Sequence, residues 1–458
     1  MSRTILYVNL KQNVFILVID SLRFRNLLGK NTTCKIPNIE NLIKNGVSFS
    51  NAFSSADGTV LSSASILSGM YPFHTGVTQS SHYQLDDNVT HMATFFKNSG
   101  YDTNTKIPEL TFLKGLADDF ENNDKFYNNY YELSKGFGKE ILKKLDLLSK
   151  KEPWFFYAHI NDLHLPTWPS KKFDHEDYGA SNYDRVISEI DYWIGEFLKK
   201  IDLKNTLVIL SADHAEYLPF VKKNDQIISF EAGKIQQILR KFGAKIPKKI
   251  RQKLIGFFSK SNNSIISNKI SQFNLDECEK RSFTNTRKDS NYLFDELLHI
   301  PLIFSGPNIK NNSEINNLVS HVDIFPTIAE LLDLKIQTKI DGTSLLPLIN
   351  GHSIDEKFVY FERDILLKKS KNDVIGIRNN AYKYFRPYIN SSENLFLFDL
   401  INDPNEEKNI SKTELEIVKK MEEYLTAITQ EQSNVSHPST DEEYSKKVED
   451  ELKKLGYI

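Results

Sequence analysis

Cysteine is nearly missing: Cys34 and Cys278 are the only two in 458 residues, far apart and outside any CxxC or Cys/His cluster. That excludes a disulfide framework and a thiolate zinc site. A long apolar run is also missing, and nothing approaches the roughly 20 consecutive apolar residues of a membrane span. The first residues, MSRTILYVNLKQNVFILVIDSLR, place Lys11, Gln12 and Asn13 inside the apolar stretch and offer no small-residue cleavage site, which makes a poor signal peptide. Nor is there an excess of one charge: 58 basic residues face 60 acidic ones, a net charge of −2. No nucleic-acid partner is expected on that balance. The expectation is a soluble, cytoplasmic protein without a transmembrane span.

What is present is a globular composition, 40% hydrophobic and 26% charged. Val14 to Ile19 is a short apolar run rich in β-branched residues, as in a buried strand of a parallel sheet. Similar runs recur at Trp154–Ala158, Thr206–Leu210 and Leu302–Phe304. Helical patterns such as Ile39-Leu42-Ile43 and Val186-Ile190-Ile194-Leu198 lie between them. Strands alternating with helices over residues 1–350 predict an α/β domain with a central, mostly parallel sheet flanked by helices. Residues 351–458 change to short β-type runs (Phe358–Phe361, Val374–Ile377, Tyr382–Phe385, Leu395–Phe398) and a charged helical tail, a smaller α+β subdomain. One segment, about 217–287, is an insertion with 15 Lys+Arg against 5 Asp+Glu. Inside it Pro247–Phe258 has the pattern of a basic amphipathic helix, either a solvated face or a peripheral contact for an anionic polymer or lipid headgroup.

In α/β sheets ligands gather beyond the carboxyl ends of strands. Asp20 follows the first run, His159 to His164 the second, and Asp213-His214 the third. Two carboxylates and an imidazole make a reasonable set for one divalent cation, Mn, Zn, Mg or Ca. Between Ser54 and Gly69 a polar, glycine-containing turn leads into a helix-like stretch that closes at a glycine. Thr59 falls at its start, where free backbone N–H groups favour an anion and a hydroxyl is placed to attack it, or simply to cap the helix.

The ordered blocks VIDSLR, PNIENLIKNGVSFSNAFSS, GTVLSSASILSGMYPFHTG, FFYAHINDLHLP, NTLVILSADHAE, FDELLHIPLIFSGP, SHVDIFPTIAELLDL and DGTSLLPLI, closed by IGIRNNAYKYF, LFDLINDPNEEKNI and KKLGYI, together resemble the sulfatase branch of the alkaline phosphatase superfamily. The resemblance spans nearly the whole chain except the basic insertion. It implies the alkaline phosphatase/sulfatase-like fold, with Asp20, Asp213 and His214 as metal ligands and Thr59 as covalent nucleophile and fourth ligand. It also implies that His164 contacts the anion or protonates the leaving group, with Asp162 and Lys288 binding substrate.

The departures matter as much. Sulfatases of this family oxidise a Cys or Ser to formylglycine within Cys/Ser-x-Pro-x-Arg, whereas Thr59, Leu61 and Ser63 stand here. Oxidation of a threonine gives a ketone, not the aldehyde. A threonine alkoxide is what phosphoryl-transferring relatives use, so phosphate or phosphonate esters, glycan- or lipid-linked, are the expected anionic substrates. Ser21 replaces the second early acidic ligand, and no second metal set is evident. Two alternatives stand: a sulfatase working without formylglycine, and an inactive member that binds an anionic glycan. His74, His299 and His321 are expected to be structural, and Arg378 and Lys383 to be solvated strand charges or residues of a cleft rim.

Overall fold

The computed structural model describes residues 11–30, 32–128, 132–165, 167–218, 220–223, 226–229, 272–273, 275–284, 292–309, 312–364, 373–389, 393–430 and 442–455. The helix expected at Pro247–Phe258 and the residue Lys288 lie outside them.

The strands are β1 (Asn13–Ile19), β2 (Gly46–Phe53), β3 (Asp102–Pro108), β4 (Phe126–Tyr127), β5 (Trp154–Ile160), β6 (Thr206–Ser211), β7 (Phe220–Lys223), β8 (Gln226–Ser229), β9 (His299–Ser305), β10 (Ser313–Ile315), β11 (Val319–Ser320), β12 (Val359–Glu362), β13 (Val374–Arg378), β14 (Tyr382–Pro387) and β15 (Phe396–Asp399). The apolar runs of β1, β5 and β6 are buried along their whole length. They form the middle of a sheet ordered β10-β2-β9-β6-β1-β5-β3-β4, with β11 also on β2. β1 is parallel to both β5 and β6, and Val18 aligns with His159 on one side and Ser211 on the other. The carboxyl ends of three strands are thereby brought to one edge.

Leu302–Phe304 departs from expectation in direction. β9 runs antiparallel to both β2 and β6. An apolar run reports burial on both faces, and β9 is an interior strand like the parallel ones, so its pattern carries no directional signal.

The four short runs after residue 351 become β12–β15, an antiparallel sheet in sequential order. Tyr360, Ile377, Tyr384 and Leu397 pack there with Met421 and Leu425 of the helix Leu415–Thr429. Arg378 and Lys383 are neither solvated nor on a rim: they are 5% and 0% exposed. Asp295 accepts from Arg378 Nη1 at 2.8 Å and from Lys383 Nζ at 2.7 Å, and the guanidinium lies 3.6 Å over the Phe53 ring. Burial works to raise the Asp295 pKa, but the two cations overcome it and hold the carboxyl well below the usual range. The pairing reconciles strand charges with a buried face, which sequence alternation alone does not show.

By packing, the chain falls into two units, one of residues 1–216, 291–402 and 409–458, the other of 217–290 with 403–408. The second contains the β7–β8 hairpin and the helix Glu277–Thr284, whose Arg281 donates to the carbonyls of Asn405 and Glu406.

Candidate functional site

Asp20 is the first residue beyond β1 and only 3% exposed; its N–H donates to Ile160 O at 2.8 Å, continuing the ladder past the strand. Ser21 then takes a left-handed conformation, φ 63°, costly for a residue with a Cβ. The turn is held from three sides. Ser21 N–H donates to Asp213 Oδ1 (3.1 Å), its hydroxyl to Asp20 Oδ1 (2.6 Å), and its carbonyl accepts from the Tyr183 hydroxyl (2.6 Å). The serine that replaces an expected acid thus positions both carboxylates.

Thr59 opens the helix Thr59–Ser68, after the extended Gly58, and the helix closes at Gly69 in the left-handed region, φ 69°. All ten residues of the helix are buried. The Thr59 hydroxyl is 3.3 Å from Asp20 Oδ2 and 3.4 Å from His214 Nε2. Asp213, 0% exposed, lies beyond β6 and accepts the His214 N–H on Oδ1 at 2.7 Å. His214 Nδ1–H donates to Ala215 O at 2.6 Å, and Nε2 is the ring nitrogen that faces the carboxylates. His321 Nε2–H donates to Ala212 O at 2.8 Å and so fixes the end of the β6 segment. Burial pushes the His321 pKa down to about 3, keeping it neutral.

The structure adds a residue to those expected. His159, on β5, turns its Nε2 to 3.6 Å from Asp20 Oδ2 and 3.7 Å from Asp213 Oδ2. His214 Nε2 stands 3.8 Å from Asp20 Oδ1 and 3.6 Å from Asp213 Oδ2. Burial works against charge on both His159 and Asp20, yet their mutual attraction raises the His159 pKa and, with His214 and His164, lowers that of Asp20.

Asp20, His159 and Asp213 form a group able to hold a metal ion. Two observations fit such an ion. His159 Nε2 and Asp213 Oδ2 are buried without a hydrogen-bond partner among the described residues, which is costly unless something else satisfies them. The 3.6–3.8 Å separations between facing histidine and carboxylate atoms also approach the edge, about 3.3–3.4 Å, of a tetrahedron with ~2.0–2.1 Å metal bonds. The signal for His159 was present in the sequence: it is an imidazole directly after the apolar run Trp154–Ala158 and the penultimate residue of β5.

The other expected residues fall elsewhere. His164 sits in the turn after β5, half-buried, close enough that its charge acts on Asp20. The Asp162 carboxylate accepts the Leu133 N–H at 3.0 Å. Burial pushes its pKa up to about 8 against that hydrogen bond, with Glu132 and Glu189 adding to the rise. His74 pairs with Asp341 at 2.8 Å, and His299 Nε2–H donates to Ser50 O at 2.9 Å, both structural arrangements.

A parallel-centred α/β sheet carries a buried acid/imidazole cluster able to hold a metal ion at its carboxyl edge, next to a hydroxyl at a helix start, and this is the architecture of the sulfatase fold. The chain belongs to the sulfatase family: the family profile "Sulfatase" matches residues 12–334, and "N-sulphoglucosamine sulphohydrolase, C-terminal" matches 286–431. Members of the family bind a divalent metal ion. Arylsulfatase K of Canis lupus familiaris is 22% identical over 476 aligned positions, covering 91% of this chain and 82% of the relative. The Delta 4,5-hexuronate-2-O-sulfatase of Bacteroides thetaiotaomicron is 23% identical, covering 88% and 85%. Among solved structures, the phosphonate monoester hydrolase of Agrobacterium radiobacter superposes with a TM-score of 0.65 at 16% identity, covering 94% of this chain and 99% of that one; at this identity the likeness concerns the fold. The chain is therefore a sulfatase-family hydrolase.

Proposed function

We propose that this hydrolase acts on phosphate or phosphonate esters through a covalent Thr59 intermediate, passing the group to water or to an acceptor alcohol. The observation that carries the reading is the placement of the Thr59 hydroxyl at a helix start within 3.3–3.4 Å of Asp20 and His214, at the position where formylglycine chemistry would need Cys or Ser.

Asp20, His159, Asp213 and His214, with Thr59 beside them, would hold one divalent ion, which supplies Lewis-acid polarisation and eases ionisation of the hydroxyl. The rest falls to the chain. Asp20 orients the Thr59 hydroxyl, whose proton leaves towards Asp20 as Oγ1 attacks phosphorus in line. The Oγ1–P bond forms, the bond from phosphorus to the leaving oxygen breaks, and His164 gives that oxygen its proton. Water or an alcohol then gives its proton to His164 and attacks phosphorus, and the Oγ1–P bond breaks as Thr59 Oγ1 takes back its proton from Asp20. Asp162 contributes by holding the turn that carries His164, and Lys288 is assigned to the substrate anion on resemblance alone. A glycan-linked ester is favoured by the hexuronate sulfatase among the relatives.

Sulfate esters form the second reading, favoured by the sulfatase names of relatives aligned over most of the chain. The two separate on p-nitrophenyl phosphate, a p-nitrophenyl phosphodiester, a p-nitrophenyl phosphonate and p-nitrophenyl sulfate, each with Mn, Zn, Mg or Ca, in wild type and Thr59→Ala. The proposal expects metal-dependent cleavage of phosphorus esters, lost by at least about a thousandfold in the variant. Cleavage of the sulfate alone overturns it.

A further inference from the structure

β2 ends at Phe53, and the turn Ser54–Gly58 carries the chain from it to the helix that begins at Thr59. β2 and β6 are not neighbours in the sheet, because β9 lies between them. Leu297 and Leu298, which lead into β9, bridge the two strand ends by their backbone: Ser54 N–H donates to Leu298 O and Ala215 N–H to Leu297 O, each at 2.8 Å. The Ser54 hydroxyl then closes the gap directly, donating to Asp213 O at 2.8 Å.

The same hydroxyl reaches the helix. Ser54 Oγ is 3.0 Å from Ser62 Oγ, accepts the Ala56 N–H at 3.2 Å and lies against Ala56 O, to which Ser62 Oγ donates at 3.0 Å. Each hydroxyl has one proton to give. The assignment that serves both carbonyls sends the Ser54 proton to Asp213 O and the Ser62 proton to Ala56 O, with the Ala56 N–H on Ser54 Oγ. Both serines are 0% exposed, where removing one partner leaves the others unsatisfied. Ser62 stands three residues after Thr59, on the same helix face, so anchoring Ser62 anchors the turn that carries the Thr59 hydroxyl.

We infer that Ser54 is a positioning residue for group transfer: bonded to Asp213 O on one side and to the Ser62–Ala56 pair on the other, it holds Thr59 Oγ1 at 3.3–3.4 Å from Asp20 and His214. The inference rests on the reading of Thr59 as the nucleophile. It separates placement of the hydroxyl from metal binding, because Asp213 offers Ser54 its main-chain oxygen while its carboxylate is oriented by the N–H groups of Ser21 and His214. A shift of about 1 Å at a reacting atom suffices for a loss on the order of a hundredfold.

The test compares metal-loaded wild type, Ser54→Ala, Ser62→Ala, the double variant and Ser68→Ala. Ser68 is an equally buried hydroxyl at the other end of the same helix, donating to Ala64 O at 2.7 Å. First-turnover release of p-nitrophenol from methyl p-nitrophenyl phosphate is expected to slow at least about tenfold in Ser54→Ala and in Ser62→Ala, with KM and bound metal within about twofold of wild type, and to stay near wild type in Ser68→Ala. The double variant is expected to lose no more than about the larger single loss, since both serines act through one cluster. Losses equal to that of Ser68→Ala, or single losses that multiply in the double variant, overturn the proposal. Calorimetric binding gives a readout without turnover: orthovanadate takes a nucleophile's oxygen as a fifth ligand and mimics the transfer step, whereas inorganic phosphate binds as a ground-state anion. Ser54→Ala is expected to bind vanadate at least about tenfold more weakly with phosphate affinity unchanged; no change, or equal changes on the two anions, refutes the role of Ser54. Vanadate affinity left intact by Thr59→Ala would instead refute the reading of Thr59 itself. If Ser54→Ala does not fold, Ser62→Ala breaks the same cluster from the helix side and carries both comparisons.

Discussion

At the residue scale, the centre depends on side chains of very different visibility. Asp20, Asp213 and His214 each stand just past an apolar run, where an α/β sheet exposes its chemistry. His159 also follows its apolar run, but it is the penultimate residue of β5 itself, and a buried strand histidine reads as core until Asp20, beyond β1, and Asp213, beyond β6, are placed beside it. With two imidazoles and two carboxylates, the donor set favours zinc or manganese over calcium, which prefers all-oxygen shells. The expected result is one zinc or manganese ion per chain by elemental analysis after dialysis. His159→Ala should weaken that binding at least about tenfold, while His91→Ala, whose Nε2–H bonds Leu116 O in another part of the core, should leave it unchanged. Metal retained in full by His159→Ala would remove His159 from the ligand set. The contact of Asp364 with the Val60 and Leu61 amides was not legible at all, because it arises only where residues 55–57 pair with the end of β12.

At the element scale, the legible parts were those with a strong local signature. β1, β5 and β6 announce themselves as continuous apolar runs, and the helix Thr59–Ser68 begins after one glycine and ends at another. β2 (GVSFSNAF) and β3 (DTNTKIP) did not stand out, since small and polar residues fill them. Their burial is satisfied by tertiary hydrogen bonds, such as Thr105 Oγ1 donating to Tyr157 O at 3.0 Å. In the C-terminal sheet the runs were legible but the polarity of the faces was not: Arg378 and Lys383 look like solvent residues and are buried on Asp295. Removing the shared anion leaves two buried cations. Asp295→Asn is therefore expected to cost about 3–5 kcal/mol in urea unfolding, and Lys383→Met less, because Arg378 still pairs with Asp295. Equal, small effects of both would show that the triad contributes little to holding β13 and β14.

At the scale of the whole molecule, a sulfatase-family chain has the fold, the metal-competent edge and a buried helix that begins at Thr59, yet carries threonine where an oxidisable residue is required for formylglycine. The account joins these facts by assigning Thr59 as the atom that takes the transferred group. The most direct measurement is acid quench of the metal-loaded enzyme during turnover of a p-nitrophenyl phosphodiester or phosphonate, followed by peptide mass spectrometry. The account predicts a phosphoryl or phosphonyl adduct on the peptide containing Thr59, appearing within the first turnover and absent from Thr59→Ala. Burst release of p-nitrophenol with no adduct on Thr59, or an adduct on Ser62 instead, would contradict it.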